Sequence, residues 1–335
     1  MFSNAYKSFL TFFVSALGLI VCAFAFYFFM LATAHSQINS RNYTIVVPFA
    51  AGNTVDIMAR IYGDQFKNEQ ELSVVVLNKP GASGLIAADY MSKIGDETHL
   101  LFAPSSTIFR LDSTTKPEVY KSLTFKKDFT VLDVVSETPL VLVTKKDKYK
   151  NFDDFSKKIK TIDYVKIGVL TIGSPTHLAA LEVGDLLKIK VSPILYTNQS
   201  QVIIDTANDL LDYSFAPLAS ALPLIEDNKV DALIIYSEEK SILLPNVEVS
   251  GKYNIEPTIP FLNWIVVNSS MSDTAKSKIK SITHKIKQNN DVQSKIIQTG
   301  SKIYKNMSDD ELRNFINTSI LKYNAIVERH GLVIQ

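Results

Sequence analysis

The chain opens on one apolar run and then settles into an alternation of short β-branched segments and longer amphipathic ones. From Phe9 to Ala34 there are 26 residues without a charge, preceded by Lys7. Phe12, Phe13, Phe24, Phe26, Phe28 and Phe29 leave no polar face that a soluble helix would need. Such a run is an export signal. It predicts an N-terminal apolar helix within 1–34, either a cleaved signal peptide ending at the small-x-small pattern Ala32-Thr33-Ala34 or an uncleaved membrane anchor. Val21 before Cys22 argues against a lipid-attachment cysteine. Under either reading, residues from about His35 onward are expected outside the cytoplasmic membrane, in the periplasm.

Past that run, Tyr43 to Phe49 (YTIVVPF) predicts a buried strand, and Ile57, Ala59, Ile61, Tyr62 and Phe66 recur at helical spacing after it. The unit repeats with a strand at Leu72 to Leu77, a turn at Gly81-Ala82-Ser83-Gly84, a helix from Leu85 to Ile94 and a strand from His99 to Ala103. Alternation of this kind predicts α/β architecture on a parallel sheet. Val131 to Thr144 reads as a long extended stretch broken at Pro139, a passage into a second lobe with strands at Val165 to Leu170, Val191 to Tyr196 and Ala232 to Tyr236. Phe261 to Val267, around the single tryptophan Trp264, would bring the chain back. The expected division is 42–138 plus 264–335 for the first lobe and 139–263 for the second. From Thr274 to His330 the period is helical, and the lysines at 276, 278, 280, 285 and 287 read as a solvated helix surface.

Composition narrows the function classes. A chain of 335 residues exceeds what one hydrophobic core usually serves, which agrees with two lobes. Lys and Arg number 35 against 34 Asp and Glu, so no basic field is available to gather nucleic acid. The only cysteine lies in the apolar run, and five scattered histidines show no metal-ligand spacing, so neither a disulfide, a thiol nucleophile, a metal nor a cofactor is expected.

Candidate chemistry concentrates where strands hand over to helices, beyond the carboxyl ends of the strands. In Pro48 to Asp56 (PFAAGNTVD), Gly52 lets backbone approach a ligand, Asn53 and Thr54 add side-chain donors, and free N–H groups at the helix start suit an anion. The same residues also read as a plain turn with Asn53 or Thr54 as the helix cap. Pro104 to Thr107 (PSST) offers a row of hydroxyls. In Gly173-Ser174-Pro175-Thr176-His177, Ser174 is a credible cap and Pro175 suits the first helical position, which makes a second anion site on the other lobe. A Ser174–His177 catalytic pair is disfavoured against a packing or capping histidine. Gly81 to Gly84 lacks the ending of a phosphate loop and reads as a tight turn.

These loops, in this order, resemble the substrate-binding components of tripartite tricarboxylate transporters, the Bug family. That family's PFAPGGSTD, NRPGAGG, GSTSHL and LPSALP segments read here PFAAGNTVD (Pro48 to Asp56), NKPGASG (Asn78 to Gly84), GSPTHL (Gly173 to Leu178) and LASALP (Leu218 to Pro223), with PSST at the Ser/Thr-rich strand end. The resemblance implies a type II periplasmic binding-protein fold, two α/β lobes joined by two crossing strands. It also implies a monomer that is not an enzyme, captures a small carboxylate and delivers it to membrane permease subunits. Carried over by position, the ligand contacts would be Phe49, Ala50, Gly52, Asn53, Thr54, Ser105 and Ser106 on one lobe, and Gly173, Thr176 and Ala216 on the other.

The departures shape the expected ligand. Asn53 replaces a family glycine and should shrink the pocket. Ala216 stands where amino-acid-binding relatives carry an acid for the ammonium, which favours di- or tricarboxylates or an aromatic monocarboxylate over amino acids. A different class of function, a membrane-anchored sensor or scaffold that signals to another protein, would be favoured by a retained N-terminal anchor.

Overall fold

The computed structural model describes residues 42–70, 73–112, 118–257 and 260–332. The expected apolar helix within 1–34 lies outside the described residues, and among those described no helix is long and apolar enough to cross a membrane.

In chain order the first unit runs β1 (Tyr43–Val47), α1 (Thr54–Gln70), β2 (Val74–Asn78), α2 (Leu85–Ser92), β3 (His99–Pro104), α3 (Ser105–Asp112), the single turn α4 (Phe125–Asp128) and β4 (Phe129–Thr138). The second runs β5 (Leu140–Lys145), α5 (Phe152–Lys158), β6 (Tyr164–Val169), α6 (Pro175–Leu187), β7 (Lys190–Leu195), α7 (Gln199–Ala207), β8 (Ser214–Pro217), α8 (Leu218–Glu226), β9 (Val230–Tyr236) and β10 (Glu248–Val249). The chain then returns through β11 (Phe261–Asn268), α9 (Asp273–Gln288), α10 (Asn290–Gln298), β12 (Lys302–Ile303) and α11 (Asp309–Arg329).

These strands form a six-stranded sheet of order β12-β4-β11-β3-β1-β2, a four-stranded sheet of order β10-β9-β5-β8, and the pair β6-β7. A parallel bridge from Ile167 to Tyr213 joins that pair to the segment entering β8. The sheets are mixed rather than parallel throughout. β1 runs parallel to β2 and β3, but β11 is antiparallel to both β3 and β4, and β5 is antiparallel to β8 and β9. The cause is the crossing: strands that leave and re-enter a sheet meet it head to tail, which no βαβ unit imposes. Pro139 supplies no N–H to a ladder, and it stands where β4 in the large sheet gives way to β5 in the smaller one. β11 pairs with β4 from Phe261 onward and so returns the chain to the six-stranded sheet.

Core clusters line both faces of the six- and four-stranded sheets. In the first unit α1 lays Val55, Met58, Ala59, Tyr62 and Phe66 against β1 and β3, with Ile57 turned to solvent. Trp264, Phe109 and Tyr323 fill the opposite face, Phe109 stacked on Tyr323 with ring centroids 4.6 Å apart. Leu178, from α6 of the second unit, is buried in this same cluster, so the two units share apolar contact as well as strands.

The C-terminal stretch is helical but not continuously. Thr299 and Gly300 end α10, Gly300 adopting φ +78, and the short β12 that follows pairs with the β4 edge at Ser136 and Glu137. The lysine series divides here. Lys278 and Lys285 are exposed as expected of a solvated face, whereas Lys287 is 3% exposed. Its ammonium donates to both Asp133 oxygens at 3.0 and 2.9 Å, to the Val134 carbonyl at 3.0 Å and to the Lys305 carbonyl at 3.3 Å. Burial pushes the Lys287 pKa down and that of Asp133 up, and the attraction between them opposes both shifts.

Candidate functional site

A cavity lies where the two units face each other. Phe49, Asn53, Thr54, Val55 and Ser106 line it from the first unit, and Leu170, Thr171, Ser174, Pro175, Thr176, Gln199, Pro217 and Ser220 from the second, with Phe261 at the crossing strand. It leaves about 50 Å³ for the centres of water-sized atoms, room for a few waters or one short ligand. Not one lysine, arginine, histidine, aspartate or glutamate is among these lining residues.

The wall is built from helix starts. On the first side Asn53 precedes α1 and its Oδ1 accepts the N–H groups of Val55 at 2.7 Å and Asp56 at 3.2 Å. Asp56 in turn accepts the Gly52 N–H at 2.9 Å, the Arg60 guanidinium at 2.9 and 3.0 Å and the Asn78 amide at 2.9 Å. Burial draws the Asp56 carboxyl upward in pKa, but these donors outweigh it and hold the group below the usual carboxylate value. The loop is thus fastened by its own side chains. Only the Thr54 N–H among the first helical donors is left without an acceptor from the described residues, at the cavity wall.

The second side repeats the pattern. Ser174 Oγ accepts the His177 N–H at 3.3 Å and lies 3.0 Å from Thr176 Oγ1, while Pro175 opens α6. Pro175 has no N–H to offer, so the Thr176 N–H is the first free donor of that helix. His177 is 1% exposed, and its Nδ1 accepts the Gly173 N–H at 3.0 Å. The imidazole is therefore neutral with its proton on Nε2, and it braces the loop instead of activating Ser174.

Burial, with His330 adding repulsion, lowers the His177 pKa from 6.5 to about 4. Between those values the unfolded chain binds the proton and the folded one does not, so stability is lost as pH falls from about 6.5 towards 4. Urea unfolding of the wild type between pH 7.5 and 4.5 will show that loss, and His177→Gln will show a flatter dependence. Equal slopes would remove His177 as a cause.

The structure brings Phe49, Asn53, Thr54, Ser106 and Thr176 together at the cavity and places the other expected residues behind or beside it. Ala50 and Gly52 are exposed and are not among the lining residues. Ser105 Oγ donates to the Pro260 carbonyl at 3.0 Å and accepts from the Leu262 N–H at 3.4 Å, so it fastens β3 to the returning strand. Gly173 sits behind Ser174 with its N–H on His177, at φ +78. Ala216 is fully buried among Val141, Ile203 and Leu218, and its neighbour Pro217 reaches the wall. Thr171, Gln199, Ser220 and Phe261 were not anticipated. Gln199 is the first residue of α7, beyond the short loop that follows β7, the same strand-to-helix position that marked the other loops, so that rule would have found it.

Hydroxyl pairs cross the cleft. Thr54 Oγ1 lies 2.8 Å from Ser220 Oγ, and Ser83 Oγ donates to Thr171 Oγ1 at 3.2 Å. The Gly81–Gly84 turn therefore has a role beyond packing: it carries Ser83 to the opposite unit.

Comparison with known proteins agrees with this geometry. Residues 58–332 match the family model "Tripartite tricarboxylate transporter family receptor". Protein BugT of Bordetella pertussis is 24% identical over 303 residues, 87% of this chain and 90% of that one. A UPF0065 protein from the TAR-I ttuE-ttuC' intergenic region of Agrobacterium vitis is 24% identical over 221 residues, 65% of this chain and 62% of that one. Among solved structures, Rpa4515 of R. palustris with adipate superposes with a TM-score of 0.78 at 19% identity, covering 88% of this chain and 98% of that one. MatC (Rpa3494) of Rhodopseudomonas palustris with bound malate gives 0.76 at 18%, covering 86% and 99%. These two likenesses concern the fold, a periplasmic binding-protein α/β architecture, while the family match extends along most of the sequence. The chain belongs to the tripartite tricarboxylate transporter receptor family.

Proposed function

We propose that the protein is a periplasmic solute receptor that holds a small carboxylate between its two lobes and presents it to the membrane permease subunits of a tripartite tricarboxylate-type transporter. The carrying observation is the meeting of two helix starts, one from each lobe, at one cavity lined by Thr54 and Thr176, each with a backbone N–H left without an acceptor among the described residues. Aligned peptide dipoles place roughly half a positive charge at each start, and free N–H groups there accept a carboxylate without a cationic side chain. The bound malate and adipate of the two solved structures support the same class of ligand. The neutral, braced His177 leaves Ser174 without a general base, so binding rather than turnover is the reading of the site.

Thr176→Val tests it. The substitution keeps the shape and removes the hydroxyl beside the free N–H, so carboxylate binding should weaken by roughly 1–3 kcal/mol with the melting temperature of the unliganded protein nearly unchanged. Thermal-shift titration of wild type and variant against short carboxylates reads both. An unchanged dissociation constant would take this loop out of the site.

A further inference from the structure

The turn after α10 contributes no residue to the cavity lining, yet it bears on the helix that does. Three consecutive residues each reach a different part of the molecule. Ser301 Oγ lies 2.7 Å from Thr138 Oγ1, both side chains buried, which fixes the turn to the last residue of β4, one step before Pro139. Lys302 Nζ donates to Glu239 Oε2 at 3.2 Å, beyond β9 in the second unit, with Glu137 Oε2 3.6 Å away. Gly300 faces Leu218, the first residue of α8.

That last contact leaves no room for a side chain. A Cβ at position 300 would stand 2.7 Å from both Cγ and Cδ2 of Leu218 and 3.4 Å from its Cβ, where carbon atoms prefer about 3.5–4.0 Å. Leu218 has nowhere to retreat. It is fully buried in a cluster with Val141, Ile203, Ala216 and Ala221, and its N–H is held by the Pro139 carbonyl at 2.9 Å. Close-packed interiors pass such strain on instead of absorbing it, so the start of α8 would have to move. That start carries Pro217 and Ser220 to the cavity wall, Ser220 Oγ lying 2.8 Å from Thr54 Oγ1 of the first unit. The φ of +78 at Gly300 suits a helix terminator, a place that asparagine also fills. The missing Cβ is a separate requirement, set by the neighbour across the units.

We infer that Gly300 is a positioning residue for the cavity: by presenting no side chain to Leu218 it lets the start of α8 seat against the first unit, which sets the spacing of Ser220 and Thr54 and with it the grip on the solute. This rests on the reading of the cavity as a carboxylate site and identifies what holds one wall in place. Because the turn touches no lining group directly, its effect falls on all solutes alike.

The test is calorimetric titration of malate, succinate and adipate into the wild type, Gly300→Ala, Leu218→Ala and the double variant, with hydrogen exchange of the unliganded proteins alongside. Gly300→Ala should weaken every acid that the wild type binds by about tenfold or more, the scale of overpacking at one buried contact, and should speed exchange at the Leu218 amide. In the Leu218→Ala background, where the opposing Cγ and Cδ2 are gone, the same change should leave affinity within about twofold and exchange unaltered. Equal losses in both backgrounds would trace the effect to the left-handed backbone alone and overturn the inference, as would an unchanged affinity in Gly300→Ala. Should Gly300→Ala by itself fail to fold, the double variant decides: folding with the affinity of Leu218→Ala supports the contact, and failing to fold overturns it. If none of these acids binds the wild type, the carboxylate reading fails, while the exchange comparison still shows whether Gly300 seats α8.

Discussion

Lys287→Met will lower the unfolding free energy by roughly 3–5 kcal/mol, because it strips the buried Asp133 carboxylate of its main counter-charge. Asp133 is 1% exposed, and besides Lys287 the basic groups acting on it are His284, whose Nε2 lies 3.6 Å away, and Lys280, which is engaged with Asp309. Burial lowers the His284 pKa, although Asp133 pulls the other way, so that ring is a poor substitute for an ammonium. The double variant Asp133→Leu with Lys287→Met should recover much of the loss, since removing both charges leaves no orphan. Urea unfolding of the two single variants and the double one closes the cycle. A Lys287→Met protein within 1 kcal/mol of wild type would mean that water or a shifted proton relieves Asp133.

The second large effect is on ligand choice. A short 2-hydroxy acid should bind about a hundredfold more tightly than the 2-amino acid of the same skeleton, close to 3 kcal/mol, measured by paired titrations at one pH and ionic strength. The reason is the acid-free cavity wall: an ammonium enclosed there meets hydroxyl and amide oxygens but no anion. Sequence pointed the same way through Ala216, yet by a different route. Ala216 faces the core beside Val141 rather than the cavity, so the absence of an acid holds across the lining and does not turn on that position alone. Equal or tighter binding of the amino acid would show that a carboxylate from beyond the lining swings in.

How much of this was legible beforehand depended on whether the information was local. β1, the break at Pro139 and the Ser174-Pro175 helix start are written in adjacent residues, and each forms where the spacing predicts. Asn53 was legible as two alternatives, ligand donor or cap. It caps, and it still borders the cavity. The antiparallel placement of β11 was not legible, because apolar periodicity reports burial and not strand direction. Nor was the fate of Lys287, which shares its sequence surroundings with exposed lysines and finds Asp133 154 residues away. Ser220 and Thr171 reach the site through the approach of one lobe to the other, which leaves no signature in either segment alone.

The hydroxyl pairs across the cleft have a consequence for how the receptor divides its work. Thr54 with Ser220, and Ser83 with Thr171, join the lobes atom to atom, without a solute between the bonded oxygens. Each of them holds the lobes together by an amount that is the same whichever solute lies between them. Affinity therefore has a part that belongs to the contact between the lobes and a part that belongs to the solute. Changes at Ser83, which lies outside the cavity lining, raise or lower the grip on all solutes together, whereas discrimination among solutes is confined to the few groups that touch them. Such a receptor can change its overall strength of capture, to suit scarcity or to hasten release, without relearning what it captures.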